Sequence, residues 1–137
     1  LAYSEGIPGR VERFLKDPKL QSLRNLIIDM LRDINKNEVD ITLKYEKLFY
    51  SYKDESEELL NIISSFIRDI ILYKEVNDKK LIINSDKNED IEELVQMMSY
   101  RKLNGMLRYI DEARTNLKHN INFSTIISVM LMGFLEV

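Results

Sequence analysis

Apolar residues recur at intervals of three and four positions along almost the whole chain, whereas runs that alternate apolar and polar residues are nearly absent. The first pattern is typical of amphipathic helices and the second of half-buried strands. The sequence therefore predicts an all-α fold, a compact helical bundle of six to seven helices.

Two prolines and several short polar side chains predict the helix boundaries in the first half. A short helix is expected after Pro8, and Asp17 can cap a second helix that has Pro18 in its first turn. This second helix is expected to end at the polar break 35–37. A third helix should turn five side chains toward the core, namely Ile41, Tyr45, Leu48, Phe49 and Tyr52.

The fourth predicted helix follows the acidic stretch 54–58 and is apolar on almost every side. Such a helix belongs in the middle of a bundle. Arg68 and Asp69 lie halfway along it. Because an isolated charge in an apolar setting is costly, we expect this pair to be buried, paired across the bundle or exposed where two subunits meet.

The second half begins with a long non-helical stretch, 77–88, which is expected to be an ordered loop. Three helices follow, and Ser99 and Asn122 can cap the last two. The final helix has one wide apolar face and three further apolar residues on the other side: Val129, Met132 and Leu135. This is too much apolar surface for one packing face, so these three residues, with Arg68 and Asp69, are candidate subunit-interface residues.

The composition excludes several kinds of chemistry. The chain has 137 residues, no Cys, one His and a formal net charge of -3. Disulfides, thiolate zinc sites and thiol nucleophiles are therefore absent, which fits a cytoplasmic protein. His119 lies at a predicted helix end and lacks the sequence partners of a catalytic triad or a di-iron site. We expect no catalytic, cofactor-binding or metal-binding residue here, and the apolar run 126–135 is too short to span a membrane.

Two further patterns carry charge. The segment Gly6-Ile7-Pro8-Gly9-Arg10 is either a simple helix-entry turn or a tight turn that directs Arg10 from the start of the first helix toward whatever precedes it. The predicted helix over 100–118 contains five basic residues and few acids, namely Arg101, Lys102, Arg108, Arg114 and Lys118. These five form either a patch for nucleic acid or protein, or an ordinary solvated face. The net negative charge of the chain argues against nucleic acid.

Taken in order, four segments resemble the C-terminal region of the delta-prime subunit of the bacterial DNA polymerase III clamp loader. Segment 4–11, SEGIPGRV, is similar to the family's Gly-x-Pro-Gly-Arg/Lys-Ala segment. Segment 65–74, SFIRDIILYK, resembles its aromatic-hydrophobic-Arg-Asp helix, and 81–86, LIINSD, its loop of hydrophobic residues, Asn, x, Asp. Segment 120–123, NINF, resembles its closing Asn-x-Asn.

The resemblance implies a division of the chain. Residues 1–16 would be the tail of the lid of an ATPase-like AAA+ module, and residues 17–137 a C-terminal helical collar domain. Gly6, Pro8, Gly9 and Arg10 would lie at the domain junction. Because the chain starts with Leu1 instead of Met, we expect it to be a piece of a larger protein.

The resemblance also implies a function. A collar domain packs beside the equivalent domains of the delta and gamma/tau subunits and closes the five-membered loader, which places the sliding clamp on DNA during replication. The holoenzyme is a DNA-directed DNA polymerase, but this chain would be a non-catalytic oligomerisation domain, with no cofactor, metal or membrane contact and with DNA reached only through the assembled loader. The alternative is a helical DNA-binding module that uses the basic helix 100–118.

Overall fold

The computed structural model describes residues 17–36 and 40–137. Within these ranges the chain forms six α-helices and no strand: α1 Pro18–Asp33, α2 Ile41–Tyr50, α3 Ser56–Val76, α4 Asn88–Met97, α5 Tyr100–Lys118 and α6 Phe123–Glu136. The predicted all-α bundle is confirmed. The short helix expected after Pro8, and with it Gly6, Pro8, Gly9 and Arg10, lies outside the described residues.

Local sequence signals place the starts of three helices. The Asp17 carboxylate accepts the backbone N–H groups of Lys19 and Leu20 at 2.9 and 3.4 Å, which caps α1. Ser99 Oγ accepts the backbone N–H of Lys102 at 3.1 Å at the start of α5. Asn122 Oδ1 accepts the backbone N–H of Thr125 at 3.3 Å at the start of α6. Each contact satisfies an N–H group that has no partner inside its helix.

Helix α3 is central, as its apolar sequence predicts. It packs against α1, α4 and α5, while α6 packs against α5 on one side and α2 on the other. The largest side chains of the core, including Phe49, Phe66 and Phe134, are fully buried. The loop after α3 contains two short 3-10 turns, Lys79–Leu81 and Ser85–Lys87, and is held to the core by the buried side chain of Ile82.

The prediction for α2 is partly wrong. Ile41, Tyr45 and Phe49 are buried as expected, but Leu48 is 43% exposed, and Tyr52 lies beyond the end of the helix. The buried residues repeat every four positions and leave Leu48 about 100° away from Phe49 around the helix axis. Leu48 instead lines an open cleft between α1 and α2, next to Leu26.

Two glycines bring α5 and α6 close together. A Cβ atom added to Gly133 would lie 2.4 Å from the ring of Tyr109, and one added to Gly105 would lie 2.7 Å from Cγ1 of Val137. Only a residue without a side chain allows such an approach. The two contacts also show that α5 and α6 run antiparallel, and they fix which side of α6 faces outward.

Candidate interaction surface

The Arg68-Asp69 pair is divided between the inside and the outside of the domain. Asp69 is fully buried, and its carboxylate accepts the backbone N–H groups of Ile83 and Asn84 at 2.9 and 2.8 Å. Arg68 is exposed and has no ion pair among the described residues. The two neighbours therefore have separate roles, and Asp69 is placed to hold the loop after α3 and not to touch another chain directly.

Asn84 links this carboxylate to the rest of a buried polar network. Its side-chain amide donates to Asp69 Oδ2 at 2.7 Å and to Ser65 Oγ at 2.9 Å, and its Oδ1 accepts Nη2 of Arg24 at 3.1 Å. Burial raises the pKa of Asp69, although the hydrogen bonds from Asn84 and Ile83 act in the opposite direction. Asn84, the Asn of the segment 81–86, therefore has a structural role in the fold.

Arg24 closes the network. It is 3% exposed, and its two terminal nitrogens each donate to one oxygen of Asp86 at 2.8 Å. Burial tends to raise the pKa of Asp86, but the bonds and charge of Arg24 outweigh it, so the pKa lies below its usual value. Such a two-bond ion pair has strict geometry, and it joins α1 to the loop that follows α3.

The five basic residues of α5 do not share one exposed patch. Lys102 is half-buried and donates to the backbone oxygens of Phe134 and Val137 at 2.8 and 3.4 Å, which caps the end of α6. Burial lowers the pKa of Lys102. Arg114 donates to Asn61 Oδ1 at 3.1 Å and to Ser64 Oγ at 2.9 Å.

The remaining three, Arg101, Arg108 and Lys118, are exposed. The acids Asp111 and Glu112 are exposed on the same side of α5, because helical spacing brings positions 101, 108, 111, 112 and 118 to one face. The outer side of α5 therefore carries mixed charge.

A polar cleft of about 610 Å³ lies where the end of α3 meets α4. The Glu92 carboxylate in its lining is paired: Lys79 lies 2.5 Å from it, and the hydroxyl of Tyr73, which also lines the cleft, donates to it at 3.2 Å. Lys79 lowers the pKa of Glu92, so the carboxylate stays charged. Burial raises the pKa of Tyr73, and the Glu92 carboxylate raises that of Lys79, so both move away from the neutral range that general acid-base catalysis uses.

The side of the bundle formed by α2 and α6 is different, because both of its helices expose large apolar side chains. Leu43 and Met132, each 55% exposed, are the most exposed large apolar side chains in the described ranges. Tyr50 is 48% exposed and Val129 41%, and Leu135 is half-buried. We call this set, Leu43, Tyr50, Val129, Met132 and Leu135, the outer face.

The register of the two helices shows that these residues form one surface. Glu46 of α2 contacts Ser128 of α6, and the ring of Tyr50 stacks edge-on against that of Phe123 with centroids 6.3 Å apart. The helices therefore run antiparallel. Leu43 lies one turn before Glu46 and Met132 one turn after Ser128, so the two side chains lie at nearly the same height along the bundle.

Sequence reasoning found only the α6 half of the outer face. Val129, Met132 and Leu135 were recognisable because their helix is apolar on both sides. Leu43 and Tyr50 were missed because α2 already had enough apolar residues to fill one inner face. A signal was present: Leu43 and Tyr50 are seven positions apart and share one side of the helix, away from Ile41, Tyr45 and Phe49.

Within residues 17–36 and 40–137, no group of three or more His, Asp or Glu side chains is arranged to hold a metal ion. None of the helices described is long and apolar enough to cross a lipid bilayer.

Comparisons with known proteins gave one match. A family model described as "DNA polymerase III, delta subunit, C terminal" matches residues 19–135, which is most of the chain. Neither the curated proteins nor the solved structures that were searched gave a match.

Proposed function

The chain belongs to the family formed by the C-terminal domains of DNA polymerase III delta subunits, a clamp-loader family, and from that premise we propose that it is a collar domain that assembles a clamp loader through its outer face. The observation that carries the proposal is the pair Leu43 and Met132, two highly exposed apolar side chains at one height on neighbouring helices. Contiguous exposed apolar surface of this kind is typical of protein-protein contacts.

We further infer that the chain is of the delta-prime type. The support is the role of the segments that resemble that family: Asp69 and Asn84 hold the loop after α3, and Asn122 caps α6. These residues lie in the segments 65–74, 81–86 and 120–123. The partners in this proposal are the delta and gamma/tau subunits. A protein that acts in bacterial DNA replication is located in the cytoplasm, so the proposal includes a cytoplasmic location.

The proposal includes the division of the chain into residues 1–16, the end of an AAA+ lid, and 17–137, the collar domain. The family match begins at residue 19, and this supports a boundary near residue 17. Gly6, Pro8, Gly9 and Arg10 would then form the junction. Arg68 is proposed as a charged contact to a neighbouring chain of the loader because it is exposed on the central helix without an ion pair among the described residues.

The matched family is one of non-catalytic clamp-loader subunits, and the proposal assigns polymerase and ATPase chemistry to other chains or modules of the holoenzyme. DNA would be reached only through the assembled loader. The alternative of direct DNA binding by the helix over 100–118 loses support, because Lys102 and Arg114 are engaged within the domain.

The test is the mass of complexes formed by this chain with full-length delta and gamma/tau from the same organism, measured by size-exclusion chromatography with light scattering. A mixed complex of defined mass is expected, and Met132→Asp should weaken it. Leu81→Asp is the matched control, because Leu81 is also exposed, at 44%, but lies in the loop after α3. No complex with any partner, or equal loss with both variants, contradicts the proposal.

A further inference from the structure

We propose that the partner places a cationic side chain, an Arg or a Lys, against Glu46 at the centre of the outer face. This inference rests on the proposed function, since it names the chemistry of the partner at that same surface. It adds a charged anchor to a contact that otherwise consists of apolar side chains.

Glu46 lies in the middle of the outer face. Its Oε2 accepts a hydrogen bond from Ser128 Oγ at 2.6 Å across the groove between α2 and α6. Leu43 and Tyr50 lie one helical turn before and after Glu46, and Met132 lies one turn after Ser128. Three apolar side chains of the outer face therefore surround one half-buried carboxylate.

This carboxylate has few partners for its charge. A carboxylate can accept about four hydrogen bonds, and a hydroxyl group carries no positive charge. Among the described residues, Ser128 is the one donor found for Glu46, and no cation lies within ion-pair distance of it. Its neighbour Lys44 is engaged elsewhere, since its Nζ lies 3.2 Å from Asp33 on α1.

Glu46 is only partly buried, so a partner that covers the outer face must remove its carboxylate from contact with water. An apolar partner would leave a buried charge with one neutral donor, which is strongly unfavourable. A partner with an Arg or a Lys at this point would restore the lost interactions, and the guanidinium of Arg would fit a carboxylate especially well. Glu46 would thus select the partner as well as bind it.

A second copy of this chain would not supply such a cation at the centre of the outer face. In a twofold dimer each copy uses the same surface, so an axis through the centre of the outer face would bring two Glu46 carboxylates together. Like charges in a covered site repel one another. We therefore assign the outer face to a different chain.

The experiment measures the dissociation constant of the complex with delta or gamma/tau at low and high salt. Glu46→Gln keeps the size of the side chain and an oxygen for Ser128 but removes the charge. We expect it to weaken binding about tenfold or more and to reduce the salt dependence. Glu75→Gln, which alters an exposed carboxylate near the end of α3, should change neither the dissociation constant nor its salt dependence. Thermal unfolding of each variant checks that the fold is intact.

The outcomes separate this inference from the proposed function. If Met132→Asp weakens the complex while Glu46→Gln binds like the unaltered chain at both salt concentrations, the cationic anchor is wrong and the interface stands. If Met132→Asp has no effect, the proposed function itself fails. A homodimer that is lost with Met132→Asp and unaffected by delta or gamma/tau would overturn the assignment of the outer face to a different chain.

Discussion

Asp69 and Asn84, 15 positions apart, are joined twice: Oδ2 of Asp69 accepts both the backbone N–H of Asn84 at 2.8 Å and its side-chain amide at 2.7 Å. A third bond comes from the backbone of Ile83. The loop after α3 is therefore fixed by one buried carboxylate. This accounts for an acid in the middle of the most apolar helix without any catalytic role.

Replacing that carboxylate should destabilise the whole domain. Asp69→Ala leaves the N–H groups of Ile83 and Asn84 without their partner in a buried site, so we expect a loss of about 2–4 kcal/mol in the free energy of unfolding. Asp69→Asn keeps one acceptor oxygen, so it should reduce the free energy of unfolding by a smaller amount. Urea denaturation followed by circular dichroism measures both, and a loss below about 0.5 kcal/mol for Asp69→Ala would contradict the assigned role.

The ion pair of Arg24 and Asp86 should make stability depend on pH in the acid range. The pKa of Asp86 is lowered in the folded state, so its contribution is complete above the unfolded value of about 3.9 and is lost as the pH falls through the folded value. Asp86→Asn should cost about 1–2 kcal/mol at pH 7, a modest amount because the Asp86 side chain is 40% exposed.

The measurement is the difference in unfolding free energy between the unaltered chain and Asp86→Asn, taken from pH 7 down to the lowest pH at which both fold. The difference should be constant above about pH 5 and shrink below it. A difference that grows as the pH falls has the wrong sign for this ion pair.

The close approach of α5 and α6 makes Gly133 sensitive to the smallest substitution. Gly133→Ala places a methyl group against the ring of Tyr109, and we expect a cost of about 1–3 kcal/mol from overpacking. In a Tyr109→Ala background the ring is gone, so the same substitution should cost much less. A double-mutant cycle of thermal unfolding measures this coupling, and additive effects would show that the two residues do not interact.

Alanine substitutions of two arginines in α5 should have very different effects on the stability of the domain. Arg114→Ala removes a donor from the buried Ser64 hydroxyl and from Asn61, so we expect about 1–3 kcal/mol of destabilisation. Arg108→Ala, on the exposed side, should stay within about 0.5 kcal/mol. Duplex DNA binding by this chain that collapses with salt and is lost with Arg108→Ala would instead support the DNA-binding alternative.

The sequence predicts the helix caps well but not the side-chain contacts between helices. The caps at Asp17, Ser99 and Asn122 depend on residues two or three positions away, so local patterns were sufficient. The position of Leu48 depends on where α1 and α6 lie, and the contacts of Lys102 and Arg114 depend on residues more than 30 positions away. Long side chains that look solvated in a sequence can reach a neighbouring helix, and periodicity alone does not show it.

The most direct test of the central claim uses Leu43, because it completes the outer face from a different helix. Leu43→Asp should leave thermal unfolding nearly unchanged, since the side chain is 55% exposed. In size-exclusion chromatography with light scattering, the complex with full-length delta and gamma/tau should be reduced or lost, as with Met132→Asp, while Leu81→Asp assembles normally. A complex of unchanged mass and affinity with Leu43→Asp would show that α2 takes no part in the interface and that the outer face is not the surface of assembly.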